Sequence, residues 1–162
     1  MDKNMILVIG IGNDFRRDDA AGLITVQRLK GIVGNKVLIQ EQSGDGALLI
    51  ESWKERERVV LIDAAQSGKT PGTIHRFEAD KFPLPGKFLH YSTHQLGVNE
   101  AIELARTLKQ LPQQLIVFGI EGKYFGPGRG LSPEVEQSIP ELIDQVKSEI
   151  EKQQITEKVS CR

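Results

Sequence analysis

The side chains able to bind a metal or move a proton gather in four short stretches. "GIGNDFRRDDAAG" (10–22) sets two adjacent acids, Asp18 and Asp19, behind a pair of glycines. "VVLIDAAQSG" (59–68) ends an apolar run on Asp63, and "STHQLG" (92–97) holds His94. The fourth, "GIEGKYFGPGRGLSPEV" (119–135), is rich in glycine and closes on a helix-start pattern. Two carboxylates and an imidazole suit a borderline divalent ion such as zinc or nickel, if the fold brings them together. Each also has a plainer role. Asp18 or Asp19 fits a helix N-terminus as a cap or a complement to its dipole. Asp63 fits a turn after a strand, and His94 a solvated ring at a helix start. His75 reads as a strand residue and His90 as a loop residue.

Other chemistries find less support. A dinucleotide fingerprint needs a third glycine where Phe15 stands, and no Gly-Lys-Ser/Thr follows for a phosphate loop. No G-x-S-x-G elbow is present, and loops account for Ser43, Ser67 and Ser92. The single Cys161 sits beside the C-terminus, where it makes a poor catalytic thiol and cannot pair within the chain. That usage suits a reducing cytoplasm.

The elements that must position these residues alternate, as in an α/β protein. Asn4–Ile9, Val37–Gln42, Arg58–Ala64 and Gln114–Ile120 read as strands, and Thr73–Phe77 as a shorter strand at a sheet edge. Helical spacing marks Asp18–Ile32, Ala47–Lys54 and Gln95–Leu108. Gly44-Asp45-Gly46 forms a turn, and Lys81–Leu89, rich in proline and glycine, a loop. A last helix starts at Ser132 as N-cap with Pro133 in its first turn, breaks or kinks at Pro140, and ends near Lys152. The expectation is a three-layer α/β/α sandwich of the phosphorylase/hydrolase type, with a twisted, mainly parallel sheet of about five strands. One strand is an antiparallel edge, and helices cover both faces. In such sheets the functional crevice lies at the C-terminal strand ends, so the Asp18–Asp19 turn, Asp63 and His94 can converge there.

At 162 residues the chain is long enough for one core. It divides into a single domain over 1–153 and a polar, flexible tail over 154–162. A formal net charge of −1 argues against a nucleic-acid partner. No apolar run is long enough for membrane insertion, and Met1-Asp2-Lys3-Asn4-Met5 has no signal-peptide layout.

Taken together, and in this order, the four stretches resemble the nickel–iron hydrogenase maturation proteases, endopeptidases that remove a C-terminal extension from the hydrogenase large-subunit precursor. The last stretch is the most specific of them. The resemblance implies that Asp19, Asp63 and His94 form the catalytic and metal-binding triad, with Glu41 near the end of the second strand as an accessory acid. It further implies nickel carried by the substrate precursor, no organic cofactor, and a cytoplasmic protein acting as a monomer. Asp18 is then left as the helix cap, Arg16 and Arg17 as rim charges, and Asn13 as a brace for the glycine turn. Two departures stand out. Ala20 and Ala21 replace a common Gly-x, which costs no ligand. After G-I-E, many relatives have proline where this chain has Gly122, a change expected to alter the loop near the cleft.

Two alternatives share parts of these features. Peptidyl-tRNA hydrolases also begin with a strand and a G-x-G-N turn, but they need a histidine soon after it, and residues 14–30 have none. A non-catalytic nickel- or precursor-binding maturation chaperone would show the same motifs as the protease.

Overall fold

The computed structural model describes residues 4–86, 88–90 and 93–160, the side chains of 156 and 157 excepted. The expectations placed on Ser92, Cys161 and the first three residues lie outside them. The first apolar run forms β1, Ile6–Ile11, buried along its whole length. A 3-10 turn at Arg17–Ala20 leads into helix α1, Ala21–Leu29. Strand β2 (Val37–Gln42), helix α2 (Gly46–Trp53) and strand β3 (Arg58–Ala65) follow. Then come β4 (Ile74–Glu78), α3 (Val98–Thr107), β5 (Gln114–Glu121) and α4 (Pro133–Ser160).

The sheet order is β2-β1-β3-β5-β4. β4 alone runs antiparallel, pairing with β5 at the edge. Successive residues of each central strand feed opposite cores, as the two-residue period of a strand requires. Ile6, Val8, Val60, Ile62 and Phe118 pack with Val26 and Leu29 of α1 and Ile139 and Leu142 of α4. Leu7, Ile9, Leu61 and Val117 pack with Leu49 and Trp53 of α2 and Ile102 of α3. Two cores, one on each side of a mainly parallel sheet, make the three-layer α/β/α sandwich that the alternation predicts.

The strand order also places the crevice. From β1 the chain steps outward to β2, then returns to lay β3 on the other side of β1. The connections leaving β1 and β3 therefore part in opposite directions, which opens a gap beyond their C-terminal ends. Glycines let the turn after β1 press into that gap. A Cβ on Gly22 would stand 2.3 Å from the Ile62 carbonyl oxygen, and one on Gly10 would stand 2.4 Å from that of Gly22. Gly12 adopts φ +155°, and a Cβ there would meet the Asp19 carbonyl at 1.9 Å. These contacts hold the Asp18–Asp19 turn directly over the sheet edge.

The last helix departs from expectation. It continues through Pro140 and on to Ser160, past the end expected near Lys152 and into the stretch assigned to a tail. Val146, Ile150 and Gln153 stay buried, so its inner face follows the sheet further than the polar composition suggests. Beyond them Ile155 and Val159 are exposed. No helix among the described residues is long and apolar enough to cross a membrane.

Candidate active-site cleft

Asp18 is fully buried, and its carboxylate caps no helix. One oxygen accepts the Ser132 amide at 2.7 Å. The other accepts the Lys123 and Tyr124 amides at 2.7 and 2.9 Å and the Ser132 hydroxyl at 2.8 Å. Burial alone would raise its pKa, but these donors together hold it below the usual carboxylate value. Asp18 therefore ties the 122–132 loop to the turn after β1, and the capping role expected of it is corrected. The same bond turns the Ser132 hydroxyl away from its own helix. Ser132 begins α4 through its backbone carbonyl, which accepts from Glu136, and not as a side-chain cap.

Asp19 points the other way. Its carboxylate lines a cavity of about 350 Å³ together with Asp63, His94, His90, Arg16, Ser43 and the Gly12–Phe15 segment. Burial raises its pKa, opposed by the charge of His90, the Asn13 N–H and the charge of Arg16. Asn13 also braces the turn as expected, its side-chain oxygen accepting from Phe15 N–H at 2.9 Å. Asp63, at the end of β3, lies on the α2–α3 side of the sheet with Val59 and Leu61. Burial pushes its pKa well up, the Asp19 charge pushes it further, and the Ala64 N–H only partly offsets both. The Asp19 charge adds to the cost of ionising buried Asp63, so the two acids make a site that attracts a cation.

His94 enters the same cavity from the segment before α3, and its Nε2 lies 3.1 Å from the Ser43 hydroxyl. Asp19, Asp63 and His94 thus share one cleft, but not one ligand shell. Among the described residues no three His, Cys, Asp or Glu side chains form a group able to hold a metal ion. Glu41 stays outside. Strand alternation turns it to the α1 side, where its carboxylate accepts from Gln27 at 2.6 Å and Lys30 at 3.1 Å. The Gln27 bond, then Lys30, lower its pKa. The structure therefore gives Glu41 an ion pair on the flank of α1 and no place in the cleft. Arg16 lines the cavity, whereas Arg17 donates to the Arg129 carbonyl and lies over Tyr124.

His90 is the cleft residue that sequence reasoning left in a loop. Its Nε2 stands 3.9 Å from Asp19 Oδ1, and both side chains are 15% exposed. Its N–H donates to the Ala64 carbonyl at 3.0 Å, which fixes it beside Asp63. Its ring stacks flat on Phe125 at 3.9 Å. Gly122 makes that shelf possible, because a Cβ there would meet the tip of the Phe125 ring at 2.4 Å. Gly122 thus lies where the 122–132 loop meets the cleft, under the Phe125 ring that His90 stacks on. No spacing rule signals His90. Only the return of the 88–90 segment to β3 brings it in. His75, by contrast, faces Glu121 at 3.3 Å and the Phe88 ring, away from these acids.

Fold and cleft define a doubly wound α/β protein with paired acids and imidazoles at the switch point of its sheet. Comparison with known proteins agrees. A family model described as hydrogenase maturation protease matches residues 26–149, which include Asp63 and His94 but begin after Asp19. The hydrogenase 2 maturation protease of Escherichia coli K12 is 30% identical over 145 residues, 87% of this chain and 87% of that protein. The hydrogenase expression/formation protein HupD of Thiocapsa roseopersicina is 30% identical over 145 residues, 86% of this chain. Of that relative's own length the match spans 64%. The solved structure of the hydrogenase maturating endopeptidase HybD from E. coli superposes with a TM-score of 0.77 at 26% identity. It covers 91% of this chain and 93% of that one. The chain belongs to the hydrogenase maturation protease family, whose members are hydrolases of the peptide bond.

Proposed function

We propose that this chain is an endopeptidase that removes the C-terminal extension of a nickel–iron hydrogenase large-subunit precursor after nickel insertion. On this reading Asp19, Asp63 and His94 meet the nickel that the substrate brings. The observation that carries it is the pairing of two half- and fully buried acids, each costly to ionise, at one end of a cavity open to solvent. A cation arriving with the substrate offsets that cost, and carboxylate with imidazole is a donor set suited to nickel. The lack of a ready group of three ligands fits a metal whose coordination the substrate completes. Asp19 or Asp63 would take the proton of the attacking water and hand it to the leaving amine as the peptide C–N bond breaks, and the substrate's nickel would supply polarisation of the scissile carbonyl. On the same reading the protein acts as a monomer in the cytoplasm.

The test is release of the C-terminal peptide from a matched, nickel-loaded precursor, followed by mass spectrometry. Wild-type protein releases it, while Asp19→Ala, Asp63→Ala and His94→Ala release none and keep the wild-type circular dichroism spectrum. Binding of the precursor without any release would favour a non-catalytic chaperone. A folded variant that still trims would remove its residue from the site.

A further inference from the structure

The cleft holds a second imidazole whose surroundings prepare it for a cation. Gln66 Oε1 lies 2.9 Å from His90 Nδ1. A carboxamide oxygen only accepts, so Nδ1 carries the ring proton and Nε2 presents a bare lone pair. That lone pair faces Asp19 Oδ1 across 3.9 Å. The separation is too long for a hydrogen bond, and the carboxylate, like the imidazole nitrogen, has only lone pairs to offer. A divalent ion bound by each at about 2.0–2.2 Å spans such a gap.

The ring is also held in place. Phe125 stacks against its face, the Ala64 carbonyl takes its backbone N–H, and Gln66 fixes its rotation. An imidazole whose other nitrogen donates to a fixed acceptor is the arrangement that orients metal-binding histidines and raises their basicity. His94, meanwhile, has its Nε2 against the Ser43 hydroxyl.

We propose that His90 is a further metal-facing donor of this cleft, meeting the substrate's nickel through Nε2 opposite Asp19, with Gln66 and Phe125 as its positioning residues. The proposal rests on the nickel-recognition reading above. It makes Gly122 part of the same device, since the space it leaves is what seats Phe125 under the ring.

Cadmium, diamagnetic and accepting of nitrogen and oxygen donors, is the probe. The chain has three histidines, so long-range proton–nitrogen spectra of the full-length protein resolve every ring, with assignments from single His→Gln variants. Without metal, His90 shows its proton on Nδ1. On addition of Cd²⁺ its Nε2 resonance shifts to the metal-bound range, while His75 is unaffected. By calorimetry His90→Gln weakens Cd²⁺ binding about tenfold or more, and Gln66→Ala, which leaves the imidazole in place, about tenfold. If His94 shifts, His90 does not, and both variants bind like wild type, the role of His90 is overturned and nickel recognition by Asp19, Asp63 and His94 stands. If wild-type protein binds no Cd²⁺ and no ring shifts, the role of His90 is overturned as well, while trimming of the nickel-loaded precursor still decides nickel recognition by Asp19, Asp63 and His94.

Discussion

Asp18 and Asp19 are neighbours in one 3-10 turn, yet one carboxylate accepts four hydrogen bonds and the other faces a cavity. Replacing Asp18 by alanine leaves three amides and a hydroxyl without the buried carboxylate they donate to. Urea unfolding should then show a loss of about 3 kcal/mol or more. Asparagine is no substitute, since its NH₂ would confront a donor at one of the two oxygen positions. The lowered folded-state pKa of Asp18 stabilises the protein above its unfolded value near 3.8, and that contribution is lost as pH falls through the folded value. Asp63 has the opposite sign. Its raised pKa favours the fold below about 3.8, and the advantage is lost as pH rises through the folded value. Asp63→Asn should therefore unfold at higher urea than wild type at pH 7, with the gap closing as the pH is lowered toward 3.8, while trimming is abolished. An unchanged midpoint at pH 7 would mean that Asp63 is not costly to bury. The sequence displayed all of these acids but not their division of labour. The bonds that occupy Asp18 reach residues 105, 106 and 114 positions away, beyond any local pattern.

At the scale of elements, the position of the Asp18–Asp19 turn depends on backbone-to-backbone approach at Gly10, Gly12 and Gly22. At Gly22 the atoms that a Cβ would strike are carbonyl oxygens of β1 and β3, which cannot rotate away. Gly22→Ala should destabilise by about 2–3 kcal/mol and reduce trimming more than its stability loss explains, because it lifts Asp19 off the sheet edge. Full trimming by a folded Gly22→Ala protein would show that the acid tolerates displacement. Apolar runs and helical spacing made every strand and helix legible, the antiparallel edge included. Their ends were less so. The turn before α1 is 3-10, the Ser132 hydroxyl is drawn to Asp18, and α4 runs on because its buried face continues past the polar stretch expected to end it. His90 and Glu41 show the same limit at the cleft. A loop residue enters because its segment returns to β3, and a strand acid is excluded because alternation turns it to the far side of the sheet.

At the scale of the whole molecule, strand order puts Asp19 and Asp63 at one edge, while the 88–90 segment brings His90 there and the residues just before α3 bring His94. The chain supplies acids that are costly to ionise and nitrogen donors not yet gathered into a shell, an arrangement that a metal borne by the substrate would complete. The most direct measurement compares purified protein acting on a matched hydrogenase large-subunit precursor with nickel inserted and on the same precursor without it. Mass spectrometry of the products should show the C-terminal extension released from the nickel-loaded form alone. Equal cleavage of the nickel-free form would contradict the account.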